Sequence, residues 1–367
     1  MAGASLLAQA PAQLLKSPAP VSKTLPIPPA TPVPPAHPAP SRPPTATESI
    51  ADEVRTIFNS CRKAVVRIEA FDIHGPLSGT GFFIDPNGTL YTSYTVGGES
   101  RDIVVCLGTT RYAAHRVVAD PRSGIAILKV DAETPFLLPA QSHDLQVASP
   151  VVAIGYPMDL PPTPSFGTIG GFDIKYLGRF FATTHIRSNM SVQRGEGGAP
   201  LLNMRGEVIG ILISSLDSGS AAFALPIVAA EKVHKDFIRF GELRPGWMGV
   251  NVRSTGEPVE GSLARVDGIF ENGPAQKAGL QKGDVILQIA ERKIESIEDV
   301  LDASFFMTPE DEVGIKIVRN GQEMQLMLQP ADHPASKHPV STRPEPRLRI
   351  LNPPDLREGN VPLKMER

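Results

Sequence analysis

The chain has 367 residues, 41% of them hydrophobic, which is room for two or three domains with ordinary cores. A net charge of −3 and a pI near 6.3 leave no electrostatic footprint for nucleic acid, and no apolar run is long enough to span a bilayer. The two cysteines, Cys61 and Cys106, follow no metal or redox spacing and read as buried thiols rather than a disulfide; no cofactor or metal is implied.

Thirteen of the 37 prolines lie in residues 1–44 and eight in 330–367, so folding belongs to the middle. Residues 1–47 are read as a proline-rich, disordered spacer. The opening residues end in the small-x-small pattern Ala8-Gln9-Ala10, like the tail of a signal peptide whose start lies upstream. Export to an extracytoplasmic, periplasmic compartment is the expectation if that segment exists, and a cytoplasmic location otherwise.

Thr45 to Glu48 has the form of a capping box, and Ile50, Val54, Ile57 and Cys61 follow at helical spacing. The period then changes to two: Val66, Ile68 and Ala70 alternate with Arg67 and Glu69, a strand. Ser78 to Leu90 reads as strand, Asn87-Gly88 turn and strand. Short strands are expected at 103–107, 113–119, 125–130, 151–155, 166–172, 185–190 and 206–214. So many short strands with almost no helix predict a barrel or sandwich.

Four segments carry a specific resemblance. They are Gly79-Thr80-Gly81-Phe82-Phe83-Ile84-Asp85, Asp120-Pro121 with Ile125 to Lys129, Val152 to Pro157, and Gln193 to Ile211 with its Gly195-Glu196-Gly197-Gly198-Ala199-Pro200-Leu201 run. In this order the chain resembles the HtrA family of trypsin-like serine proteases. The resemblance implies a mainly β domain over 48–240, two packed six-stranded barrels with the site in the cleft between them.

That chemistry needs a hydroxyl nucleophile, an imidazole base and a carboxylate that orients the imidazole. The family's register assigns the imidazole to Thr95, in Thr92-Ser93-Tyr94-Thr95-Val96, the carboxylate to Gly124 and the nucleophile to Gly197. All three residue types are wrong for the reaction. His74 and His115 are too distant in sequence for a register slip to restore a base. Asp120 belongs to the Asp-Pro turn, and Ser142-His143-Asp144 are adjacent residues that cannot form one triad. The former oxyanion loop, Gly195, Glu196 and Gly197, is expected to turn with more freedom than in an active enzyme. Glu196 is expected to place a carboxylate near the site. The expectation is a pseudoenzyme.

Gly241 to Pro245 mark a boundary, and residues 241–331 resemble a PDZ domain, an α+β fold. The carrying motifs are Gly246-Trp247-Met248-Gly249-Val250, Gly273-Pro274-Ala275, Gly283-Asp284-Val285-Ile286 and Val313 to Gly321. The resemblance implies that the amides of Met248, Gly249 and Val250 catch a peptide carboxylate. Leu301 and Phe305, four apart on a helix opened by Ser296, line the pocket or pack in the core. Trp247 reads as core. Residues 332–367 form a proline-broken tail in which Arg347 to Leu351 can be a strand.

Three functions follow from the resemblance. The first is a non-catalytic scaffold or regulator in protein quality control, binding peptide or protein C-termini and unfolded segments. The second is an active endopeptidase of non-standard chemistry, and the third a purely structural subunit. Partners implied are such peptides and a homo-trimer or mixed assembly with active relatives.

Overall fold

The computed structural model describes residues 45–334, apart from 141–144, 177–178 and 216–220. The N-terminal spacer up to Pro44, the Ser142 to Asp144 trio and the 332–367 tail beyond Pro334 lie outside the described residues, and the last two residues assigned to the spacer, Ala46 and Thr47, belong to the first helix.

The amphipathic pattern after Thr45 forms helix α1 (Ala46–Cys61). Ile57 and Cys61 are buried in the main core while Ile50 stays half exposed, so only the last two turns dock. The period-two segment becomes β1 (Val65–Asp72), which pairs in register with β2 (Gly75–Phe83). β3 (Thr89–Ser93) follows the Asn87-Gly88 turn, and one helical turn, α2 (Tyr94–Gly97), closes it. β4 (Arg101–Leu107), β5 (Thr110–Ala113), β6 (His115–Asp120) and β7 (Ile125–Lys129) complete the first half.

These strands make a seven-stranded sheet in the order β5-β4-β1-β2-β3-β7-β6, one strand more than the resemblance implies. The expected strand at 113–119 is two strands. The Ala114 amide bonds the Ile103 carbonyl, which turns the chain between β5 and β6.

The second half is a closed six-stranded barrel, β10-β13-β12-β11-β8-β9. Its strands are β8 (Pro150–Gly155), β9 (Thr163–Tyr176), β10 (Arg179–Ser188), β11 (Pro200–Leu202), β12 (Val208–Ser215) and β13 (Ala222–Pro226). The 185–190 and 166–172 strands are each longer than their apolar alternation indicates. Polar residues such as Thr163 and Asp173 are carried by the ladder, which every backbone N–H in a closed barrel must join. Helix α3 (Ile227–Phe240) ends at Gly241, whose φ is 78°.

The C-terminal unit is built from β14 (Val250–Val259), β15 (Ser262–Ile269), the short α4 (Pro274–Lys277), β16 (Val285–Ile289), β17 (Arg292–Lys293), α5 (Ile297–Phe306), β18 (Val313–Arg319) and β19 (Gln322–Leu328). Its sheet runs β14-β15-β16-β18-β19, with β14 at the edge. The Ser296–Asp299 capping box opens α5. Val300 and Ala303 of that helix enter the core of this unit, whereas Phe305 joins the core of the β domain. Asp302 sits between them. Its carboxylate accepts the Thr183 hydroxyl at 2.5 Å and the Thr184 amide at 2.7 Å, and pairs with Arg292 at 2.8 Å.

Next to that junction His185 is 1% exposed and stacks on Phe181. Its Nδ1–H donates to the Thr183 carbonyl at 2.6 Å, and Nε2 has no partner. Burial pushes its pKa down to about 4, against the opposing pull of Asp302. Between that value and the ordinary one the unfolded chain binds a proton that the folded chain refuses, so stability falls as pH falls through this window. From pH 7 to 4.5 the wild-type chain should lose about 2–3 kcal/mol more than His185→Gln, read from urea unfolding at each pH.

Candidate functional site

The cleft forms where β2 and β3 of the first sheet meet the loop entering β11 of the barrel. Its hub is Thr80, which is fully buried. The Thr80 amide donates to the Gly197 carbonyl at 2.9 Å, and its hydroxyl donates to the Gly195 carbonyl at 2.7 Å. That hydroxyl also accepts the Tyr156 amide at 3.0 Å, and the Thr80 carbonyl accepts the Thr92 hydroxyl at 2.7 Å. The amide and hydroxyl of Thr80 thus hold the two β halves together, and its carbonyl ties β2 to β3 within the first sheet.

The loop closes on itself as well. The Glu196 amide donates to the Gln193 carbonyl at 3.2 Å, and the Glu196 carboxylate accepts the Gln193 amide at 2.7 Å. Glu196 is only 4% exposed and lies against Gly155, and burial raises its pKa while the Gln193 amide opposes the rise. Two expectations are thereby corrected. The carboxylate folds back to cap its own turn instead of facing the site, and the loop is pinned by at least six backbone or side-chain hydrogen bonds rather than loosened. At Gly198 φ is 88°, and a Cβ there would lie 2.2 Å from the Thr80 carbonyl oxygen and 2.3 Å from the Thr92 hydroxyl. No other residue fits.

Thr95 and Gly197 are brought together. A Cβ on Gly197 would sit 3.2 Å from the Ser93 hydroxyl and 3.8 Å from that of Thr95, and these two hydroxyls bond each other at 2.9 Å. Gly124 stands one step behind. The Tyr94 amide donates to its carbonyl at 2.6 Å, but its φ is 77° and a Cβ would point to Ile213, 3.1 Å away, not to Thr95. Ser93, Thr95 and Gly197 supply two neutral hydroxyls and no titrating group. None of the hydrogen bonds of Ser93 or Thr95 involves a histidine. His74 is exposed in the β1–β2 turn and His115 exposed at the start of β6. Asp120 is engaged by the hydroxyl and amide of Ser123 and by Arg122. Among the described residues, the amides of Gly195 and Gly197 have no acceptor, and no cluster fit for a metal occurs. Both cysteines are buried and free.

The second site lies at the edge of the C-terminal unit. The Met248 side chain is buried in the core, and its carbonyl accepts the Ala275 amide at 2.8 Å. Gly249 has φ 76°, and its carbonyl accepts the Phe270 amide at 2.9 Å. The Met248 and Gly249 amides have no acceptor among the described residues. Val250 begins the edge strand β14, against which α5 packs. Leu301 is 49% exposed on that helix, whereas Phe305 is 3% exposed. Phe305 therefore leaves the predicted groove set: a helix held between two units turns one face to each, and the four-residue spacing does not say which. Trp247 is half buried, edge-on to Phe270 and His333, and is not core.

The sequence pointed to neither Thr80's role nor that of Ser93. Thr80 stood inside the Gly-Thr-Gly motif, so the signal was present but read only as fold.

Two β halves closing on a glycine loop, followed by a sheet whose edge strand begins at a left-handed glycine turn, define a trypsin-like domain joined to a PDZ domain. Comparison with known proteins agrees. The trypsin-like peptidase domain family matches residues 79–211, and the PDZ domain family matches 246–329. A probable periplasmic serine endoprotease DegP-like of Chlamydia trachomatis is 31% identical over 266 residues, 68% of this chain and 52% of that protein. One of Halomonas elongata is 30% identical over 272 residues, covering 71% and 57%. The solved structure "HtrA-type protease AlgW with tripeptide" matches with a TM-score of 0.63 at 25% identity, over 77% of this chain and 97% of that one. The chain spans about half the length of the curated relatives it matches. The chain thus carries a trypsin-like peptidase domain and one PDZ domain, and its homologues are serine endoproteases of the DegP/HtrA type.

The local geometry separates two neighbouring glycines. Gly198→Ala should cost about 2–4 kcal/mol, because it adds a clash to a left-handed φ. Gly197→Ser, at an ordinary φ where a Cβ meets the Ser93 hydroxyl at 3.2 Å and Val96 and Thr95 at ordinary contact distance, should cost less than about 1 kcal/mol. Urea unfolding of both variants makes the comparison.

Proposed function

We propose that this chain is a non-catalytic HtrA-like protein that binds peptide ends and unfolded segments through its PDZ domain, as a scaffold or regulator in protein quality control. The observation that carries the reading is the occupancy of one cleft by Thr95 and Gly197, with Gly124 behind them, where hydrolysis requires a proton acceptor, a nucleophile and a carboxylate. Loss of single triad members costs about 10⁴ to 10⁶ in turnover. What remains is the pair of unengaged amides at Gly195 and Gly197, which can hold a carbonyl oxygen but cannot attack it. The names of the relatives favour the second reading, an active endopeptidase. Ser93 is the hydroxyl that reading would have to use, and Thr95, not a base, is its partner. The periplasmic location in the relatives' names supports the same compartment for this chain.

Purified protein should give no turnover of unfolded casein and no labelling by a serine-directed fluorophosphonate. Labelling of any residue in 190–200, or of Ser93, would restore the endopeptidase reading. Peptide binding is tested separately by fluorescence anisotropy with a library of peptides bearing free apolar C-termini. Leu301→Lys, a surface change, should weaken the best binder about tenfold, and blocking the peptide's carboxylate as an amide should abolish binding. Absence of any saturable binding would leave the structural-subunit reading.

A further inference from the structure

Outside the PDZ groove, a trough runs along the face of β1 and ends at the Gly197 loop. It consists of two cavities that meet at Arg67 and Asp159. One, about 620 Å³, lies between Arg62, Lys63 and the Leu107-Gly108 turn, with Tyr156 and Pro161 on its wall. The other, about 350 Å³, continues past Phe71, Pro76 and Ser78 to Arg194. Arg194 is part of the loop itself: its carbonyl accepts the Met158 amide at 2.7 Å.

Five cations face this trough against three carboxylates. Arg67 and Arg111 share one of them, Glu69, each at 2.6 Å. Arg62, Lys63 and Arg194 have no carboxylate partner among the described residues and stand exposed. Unpaired like charges collected along one concave wall raise the local concentration of anions. Their surroundings also carry uncovered apolar side chains: Met158 is 59% exposed, Leu160 52% and Phe71 45%. Ser78 adds a buried hydroxyl with no partner, lining the second cavity.

The backbone of the trough wall is held in an unusual form. Asp102, Met158 and Asp159 have φ of 52°, 49° and 61°, the left-handed region that non-glycine residues seldom adopt. Tethers hold the segment that contains Met158 and Asp159: the Met158 amide on Arg194, and the Tyr156 amide on Thr80. Such residues gather where a ligand is clamped.

We propose that this trough is a second recognition site, for an extended peptide that alternates acidic and apolar side chains. The carboxylates would meet Arg62, Lys63 and Arg194, and the apolar side chains would cover Phe71, Tyr156 and Leu160. The site needs neither a free C-terminus nor the PDZ groove, so it stands or falls independently of the preceding reading.

The test is fluorescence anisotropy of the full chain with a fluorescein-labelled decapeptide of alternating Glu and Leu, its C-terminus amidated so that the PDZ turn has no carboxylate to catch. Saturable binding is expected that weakens as salt rises. Lys63→Glu with Arg194→Glu should weaken it at least tenfold. Leu301→Lys should leave it unchanged. Asp102→Asn with Asp159→Asn, which removes the opposing charges while keeping a residue that tolerates a left-handed φ, should tighten it about threefold. These positions are exposed, so each variant is expected to keep the wild-type thermal melt, which checks that it folds. The proposal is overturned by any of three results: no saturable binding, equal binding of a Lys–Leu decapeptide, or unchanged affinity in the charge-reversed variant. Tighter binding of a single-stranded oligonucleotide of equal charge would overturn it too, making the trough a site for nucleic acid.

Discussion

A buried threonine decides the shape of the cleft. Thr80 connects Gly195, Gly197, Tyr156 and Thr92 through its amide, carbonyl and hydroxyl. Because it is fully buried, each of those groups would be left without water if the bond were missing, at about 1–3 kcal/mol apiece. The loop from Gln193 to Gly198 is thus fixed from outside by the first sheet and from inside by the Glu196 cap. None of these bonds uses a side chain at position 197. The backbone of the site is consequently independent of what its side chain can do.

Helix α5 imposes the same kind of constraint at the other end of the molecule. Its Val300 and Ala303 belong to the PDZ core and its Phe305 to the core of the β domain, so one helix is shared by two packings. Asp302 is held at the junction by a hydroxyl, an amide and a guanidinium. A buried carboxylate with three donors adds little net stability but fixes one arrangement, because any other leaves its charge uncompensated. Arg292 completes the fixture by lying over the Phe306 ring at 3.5 Å. Leu301, on the solvent side of the same helix, is thereby presented at a set distance from β14.

Much of this was legible from residue order. The change from helical spacing to alternation at Val65, the Asn87-Gly88 turn, and the apolar runs at 125–130 and 151–155 each gave an element close to its observed bounds. The motif segments placed Thr95 and Gly197 as neighbours, 102 positions apart in the chain. What could not be read was orientation. The division at Ala114 rests on a bond to Ile103, β13 is a short apolar run without polar alternation, and Phe305 differs from Leu301 only in which unit its side meets. Glu196 shows the limit most plainly. Its position in the motif aimed it at the site, yet the nearest amide, that of Gln193, captured it. A carboxylate beside an unpaired N–H within its own turn takes that bond before any longer reach.

Two turns of this chain, one in each domain, keep donors that the fold leaves unused. At Met248 and Gly249 the left-handed turn prevents the amides from joining β14's ladder, and at Gly195 and Gly197 the loop's own bonds consume carbonyls rather than these N–H groups. Such turns are costly to form in an unfolded chain, and the surrounding sheet carries that cost in either case. The fold therefore retains its anion-facing backbone whether position 197 carries a hydroxyl or nothing. Positions 95 and 197 are ones at which the chain can change without loss of structure, since Thr95 is exposed and Gly197 opens onto a hydroxyl pair, whereas Gly124, with a φ of 77° and Ile213 3.1 Å from where a Cβ would lie, is held to glycine by its backbone. Reactivity and architecture are separable here because main-chain hydrogen bonds and the side chains of Thr80, Thr92 and Glu196, and not those of a triad, hold the cleft.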